Sequence, residues 1–161
     1  MRAPDDFFTA AASLETIEHL DVDAMRLLFR VEMGGEVFYN ALADRIGEPR
    51  AADLLRRNAR EERGHAERVR KALGIKLGHA FEPSVDDLAP YAMPLPEVIP
   101  PQLLPVIVKA EIGGDRSYQG WADRETDPEV QRLLRLNGRE ETVHGQRVQE
   151  VITLLEAAEA R

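Results

Sequence analysis

The second half of this chain repeats the first. With residue 111 laid over residue 32 (111 minus 32, an offset of 79), EMGGEVFY from Glu32 to Tyr39 aligns with EIGGDRSY from Glu111 to Tyr118. The same offset, without a gap, lays NAREERGHAERV (Asn58 to Val69) over NGREETVHGQRV (Asn137 to Val148). Pro49 falls over Pro128, and Ala43-Asp44-Arg45 over Ala122-Asp123-Arg124. Self-similarity at a fixed offset marks a duplicated supersecondary unit. A repeat kept only for packing would preserve hydrophobicity. This one preserves Glu, His, Tyr, Asn and Gly, and so points to a pseudo-twofold site.

Periodicity makes the unit a helical hairpin. Leu28, Val31, Gly35, Tyr39, Leu42 and Ile46 recur at steps of three and four, and Glu32 lies inside that stripe. Asp23 can cap this helix and Gly47 stops it. A second helix starts at Pro49, a good first-turn residue, and is expected to end near Leu73, before Gly74. Its buried line is Leu55, Asn58, Glu62, His65, Val69 and Ala72. The third helix is expected from Pro101 to about Glu125, with Leu104, Val108, Glu111, Gly114, Tyr118 and Trp121 on one face. The fourth opens at Pro128 and reaches about Ala158, with Leu134, Asn137, Glu141, His144, Val148 and Val151 along its seam.

Between the hairpins, Gly74 to Pro100 carries five prolines and few helix signals. It is too long for an ordinary helix–helix turn and suits a crossover. The expectation is an all-α fold in one domain over residues 1–161: a first hairpin at about 24–73, a crossover at 74–100 and a second hairpin at 101–158. A short helix within Arg2 to Leu20 would pack outside the bundle.

Two segments, Glu62-x-x-His65 and Glu141-x-x-His144, place a carboxylate and an imidazole one turn apart on one helix face. Glu32 and Glu111 supply one carboxylate each from the other helices. Four buried carboxylates without compensation would be forced to protonate. Two divalent cations would cancel their charge, and two neutral imidazoles would complete the donor set. With no cysteine in the chain, any metal must be held by His, Asp and Glu, a set that suits iron or manganese. The missing thiols also exclude disulfides, Cys-ligated zinc and iron–sulfur clusters.

These segments, Glu-x₃-Glu/Asp-x₂-Tyr followed by Glu-x-x-His and then repeated, resemble the ferritin-like di-iron carboxylate superfamily. Within it they look most like rubrerythrin-related proteins, over residues 24–73 and 101–158. The resemblance implies a ferritin-like four-helix bundle of two hairpins. It implies two iron ions, with manganese or a mixed Mn/Fe pair also compatible, held by Glu32, Glu62, His65, Glu111, Glu141 and His144. It further implies oxidoreductase chemistry, of ferroxidase or peroxidase type, with O₂ or hydrogen peroxide. Two departures narrow this. Rubrerythrin proper carries a Cys-ligated rubredoxin domain, so electrons here would come from an external donor protein or from substrate iron. The extra carboxylate that rubrerythrin has three residues after its third-helix ligand is Gly114 here, and Gly35 in the first repeat, which puts the associated peroxidase activity in question. Iron storage, and oxygenation of an organic or RNA substrate, are the competing functions. Storage needs a shell of subunits, whereas the main reading needs only a monomer or homodimer.

Around the six candidate ligands, Tyr39 and Tyr118 are either core aromatics or hydrogen-bond partners of ligands. Asn58 and Asn137 either orient ligands or satisfy nearby backbone. Gly34-Gly35 and Gly113-Gly114 serve either close packing or room beside the metals. Glu61, Glu140, Glu36 and Asp115 fall off the seam or at its edge and are expected to face solvent. His19 and His79 lie outside the motif, as surface histidines. The net charge of −8, with no basic stretch, argues against DNA and anionic membrane as partners. No apolar run approaches the ~20 residues of a membrane span. The start, with one Arg followed by two Asp, lacks a signal-peptide pattern, and the expected location is the cytoplasm.

Overall fold

A computed structural model of the protein describes residues 6–161; of the expected N-terminal helix region, residues 2–5 lie outside that range. Six helices follow in order: α1 (Phe7–Leu14), α2 (Val22–Arg45), α3 (Pro49–Leu77), α4 (Val85–Leu88), α5 (Leu103–Asp123) and α6 (Pro128–Glu159). No strand forms among the described residues, and an isolated bridge joins Asp6 to Ala92. The fold is an all-α bundle, as the periodicity requires. No helix among the described residues is long and apolar enough to cross a membrane.

Helix ends follow local chemistry. Asp21, rather than Asp23, caps α2: its extended backbone lets the carboxylate accept from the Ala24 N–H at 2.8 Å, while Asp23 already lies in the first turn. Gly47 turns the chain at φ +77, and Pro49 opens α3. The helix α3 runs one turn beyond the expected stop at Gly74. Gly78, at φ +75, is the residue that takes the left-handed C-cap. Gly74 stays helical, and a Cβ there would come within 3.3 Å of the His79 carbonyl, so its small size serves the returning chain. The crossover therefore begins near residue 78, and α5 begins at Leu103 after a turn at 101–102.

The helix α2 packs on α3, α5 on α6, and α3 on α6, while α1 and α4 pack on α2. No Cα atoms of α2 and α5 approach within 8 Å. Fully buried Leu28, Leu42, Leu55, Leu73 and Leu134 fill the seam above and below the polar middle. Each such side chain contributes about 1.5–3 kcal/mol of burial. On the outside of α2, Phe7 stacks on Phe38 with centroids 5.5 Å apart, and Arg30 lies 3.8 Å over the Tyr91 ring. Trp121 Nε1 donates to the Ile17 carbonyl at 2.7 Å and ties the segment after α1 to α5.

Candidate metal centre

Each of the four long helices brings its ionisable residue to one level of the bundle. Glu32, Glu62, His65, Glu141 and His144 are buried, and Glu111 is nearly so. The Glu-x-x-His step on α3 and α6 points carboxylate and imidazole inward together. One donor atom from each of Glu62, His65, Glu141 and His144 lies within 4.8 Å of the others. The two imidazoles stack, with centroids 5.0 Å apart and planes 17° from parallel, as a local twofold relation demands.

Both histidines turn Nδ1 into the cluster. Glu141 Oε1 stands 3.4 Å from His65 Nδ1, and Glu32 Oε2 and Glu62 Oε2 each 3.6 Å. Around His144 Nδ1 the oxygens of Glu62, Glu141 and Glu111 stand at 3.2, 3.5 and 3.9 Å. None of these makes a hydrogen bond. Among the described residues, the two Nδ1 atoms and the Tyr91 hydroxyl are the buried side-chain polar atoms without a hydrogen-bond partner. Ligand bonds of ~2.0–2.2 Å put neighbouring donors on one ion about 3–4 Å apart. The donor set therefore fits cations in the spaces between these atoms. Glu62 and Glu141 approach both imidazoles, whereas Glu32 approaches His65 and Glu111 approaches His144.

Charge gives the same answer. Burial, and then the neighbouring Glu62 carboxylate, push Glu32 well above the usual carboxylate range. Burial and Glu141 do the same to Glu111. Burial disfavours the imidazolium of His65, but Glu140 and the inner carboxylates outweigh it and raise the ring well above its usual value. Against the same penalty, Glu141 and Glu62 raise His144 to about 9. Without cations, the cluster offsets its negative charge by holding protons. Divalent ions would take their place.

The outer face of each imidazole is fixed by the opposite hairpin. His65 Nε2 lies 2.9 Å from Glu140, and His144 Nε2 lies 3.1 Å from Glu61. Arg68 grips Glu140 with both terminal nitrogens, and Arg147 grips Glu61 in the same way. Each arginine also donates to an asparagine oxygen: Arg68 to Asn137 at 3.1 Å, Arg147 to Asn58 at 3.0 Å. The amide nitrogens of Asn137 and Asn58 donate to the His65 and His144 carbonyls, at 3.2 Å each. Glu140 is held down to about 2 by its bond to His65 and by Arg68, against burial. It therefore accepts from Nε2–H and leaves Nδ1 free to ligate.

Glu61 and Glu140 thus do not face solvent. They are half-buried, because the neighbouring helix supplies an Arg and a His to receive them. Asp115 is likewise half-buried, accepting from Thr142 Oγ1 at 2.5 Å across α5 and α6. The signal for the Glu–Arg pairs was present in the repeat: Arg68 falls over Arg147 and Glu61 over Glu140. His19 and His79 are exposed, away from the cluster.

Tyr39 and Tyr118 cross between the hairpins. The Tyr39 hydroxyl donates to Glu111 and the Tyr118 hydroxyl to Glu32, so each tyrosine steadies a carboxylate of the other repeat. Burial, and then the charge of Glu111 or Glu32, push both phenols well up and keep them protonated donors. The glycines divide. A Cβ at Gly35 would stand 2.9 Å from the Glu62 carboxyl carbon, whereas one at Gly114 would meet Glu141 at an ordinary 3.5 Å.

No curated protein and no solved structure matches the chain. A family model does: the rubrerythrin model aligns with residues 23–152. That span runs from the first turn of α2 nearly to the end of α6 and takes in every residue of the cluster. On that match and the duplicated Glu/His core, the chain belongs to the rubrerythrin family.

Proposed function

We propose that this protein is a di-iron oxidoreductase that binds two iron ions through Glu32, Glu62, His65, Glu111, Glu141 and His144 and reacts with hydrogen peroxide or O₂. The observation that carries the reading is the pair of buried, unpartnered Nδ1 atoms aimed at four carboxylates. When bound, two ferrous ions supply two electrons, which with two protons reduce one hydrogen peroxide to two waters.

The chain's own contribution is geometry and charge. Glu61 and Glu140 fix the imidazole tautomers from behind, so neither ring needs to reorient as the charge in the cluster changes. Tyr39 and Tyr118 hold Glu111 and Glu32 and supply hydroxyl donors at the two ends of the cluster. Leu28 and Leu134, both buried, pack the seam beside the cluster. In this reading a separate donor protein returns the electrons.

The test is anaerobic loading with Fe(II) followed by addition of peroxide or O₂. Two irons per chain and the near-ultraviolet absorption of a bridged diferric pair are expected. Loading of one iron or none, or two ferrous ions that stay unoxidised with both oxidants, would overturn the reading.

A further inference from the structure

A cavity of about 720 Å³ lies in the gap between α2 and α5 and is roofed in part by α1. The carboxylates of Glu32, Glu62, Glu111 and Glu141 form part of its wall. Peroxide and O₂ are close in size to a water molecule, which claims only ~30 Å³ in the liquid. The space exceeds what either oxidant needs by more than tenfold. It falls within the ~300–1,000 Å³ of pockets that hold drug-sized organic molecules. Its body is apolar, with Phe7 and Phe38 on one side and Leu103, Ile107 and Trp121 on the other.

The duplication shows that the α5 side of this space is open where the equivalent face of α2 is covered. On α2, a Cβ at Gly34 would strike Phe7 at 2.7 Å and Tyr91 at 3.3 Å. At the equivalent Gly113 of α5, a Cβ would meet nothing within 4 Å. Val31 and Phe38 are buried, while their counterparts at the same offset, Ala110 and Ser117, are smaller and less buried. At the α5 rim, Val106 and Ile112 are 61% and 48% exposed. Two exposed cations, Lys109 and Arg116, stand there two helical turns apart, and the exposed Glu15, just after α1, also lines the space.

We propose that this cavity binds an amphipathic organic anion, with its apolar body between Phe38 and Trp121 and its anionic head at Lys109 and Arg116. A molecule anchored in this way lies with its far end toward the carboxylate cluster. The same rim argues against a second copy of the chain as occupant. Antiparallel pairing of two α5 helices about Gly113 would bring Lys109 of one copy near Arg116 of the other, and such an interface would have to bury like charges. The proposal goes beyond the di-iron reading and stands on the cavity alone.

The experiment uses the whole chain, metal-free and metal-loaded, with dodecanoate as the probe below its micellar concentration and dodecyltrimethylammonium as its cationic counterpart. Trp121, the chain's single tryptophan, lines the cavity and reports binding by its fluorescence. A saturable change with dodecanoate in both forms is expected, with the cation binding about tenfold more weakly. The double variant K109E/R116E should reverse that preference, and Gly113→Phe should abolish the signal while keeping helicity and metal stoichiometry. An absent or non-saturable response, equal affinity for the two probes, or binding unchanged in Gly113→Phe would overturn the proposal. So would sedimentation as a dimer that Gly113→Phe dissociates, which would assign the face to a second copy. Metal counted on the same samples keeps the two readings apart: a chain that binds dodecanoate and no iron refutes only the di-iron function.

Discussion

The two hairpins carry the same polar residues at the same steps but are covered differently. Inside, the symmetry is close: His65 and His144 each face three carboxylates, and each is backed by a Glu and an Asn of the other hairpin, which an Arg of its own helix holds. Outside, α2 lies under α1, α4 and Tyr91, whereas among the described residues the only helix whose backbone packs closely on α5 is α6. Duplicated residues that share one centre constrain each other, since a change in either displaces a common carboxylate. Residues on the outer faces have no such partner. Phe38 stands where Ser117 stands in the other half, and Val31 where Ala110 stands. The inner pairs carry the chemistry common to both halves, and the outer differences decide what else can reach it.

Breaking the inner symmetry should have the largest effect. Replacing Glu62 and Glu141 together by Ala removes the two carboxylates that approach both imidazoles. Titration with Fe(II) or Mn(II) should then show no tight site. The wild-type chain should gain about 2.7 kcal/mol of stability per independent site at a hundredfold excess of free metal over Kd, and the variant none. A metal-induced rise in Tm that persists in the double variant would remove Glu62 and Glu141 from the ligand set. A milder break separates the halves: Glu140→Ala frees the outer face of His65, and Glu61→Ala that of His144. Each should weaken metal binding about 10- to 100-fold, the range for losing a residue that orients a ligating histidine. Competition with a chromophoric chelator measures it. Equal losses would support the twofold reading; a loss in one variant alone would make the two positions unequal.

The sequence carried the inner symmetry because buried polar residues at helical spacing have few explanations. Glu32 inside an apolar stripe, and two Glu-x-x-His segments at one offset, are costly unless charge is compensated. It carried the Glu61 and Glu140 pairs less openly. Read on one helix, each lies beside the seam; only the packing of α3 against α6 brings Arg68 to Glu140 and Arg147 to Glu61. The helix ends shifted for local reasons: Gly74 and Gly78 both look like stops, and only backbone geometry separates a glycine needed for closeness from one needed for positive φ. The open side of α5 could not be read from periodicity, because what covers α2 comes from α1 and the crossover, distant segments with weak patterns of their own.

The smallest of these effects tests the outer asymmetry most directly. Gly34 and Gly113 occupy the same position in the repeat, and in a helix interior each costs about 1 kcal/mol against Ala. If helix propensity were all that mattered, both Ala variants would gain equally. The surroundings differ, however. A methyl at 34 lies 2.7 Å from Phe7 Cδ2, and the ring cannot retreat freely because it stacks on Phe38. Overpacking of that kind costs about 1–3 kcal/mol, so Gly34→Ala should lose roughly 1 kcal/mol net. A methyl at 113 meets nothing, so Gly113→Ala should gain up to about 1 kcal/mol. Urea midpoints at constant m-value measure both. Opposite signs are expected. Matching gains would mean that α1 yields without cost, and that the two outer faces differ in residue size but not in how firmly they are covered.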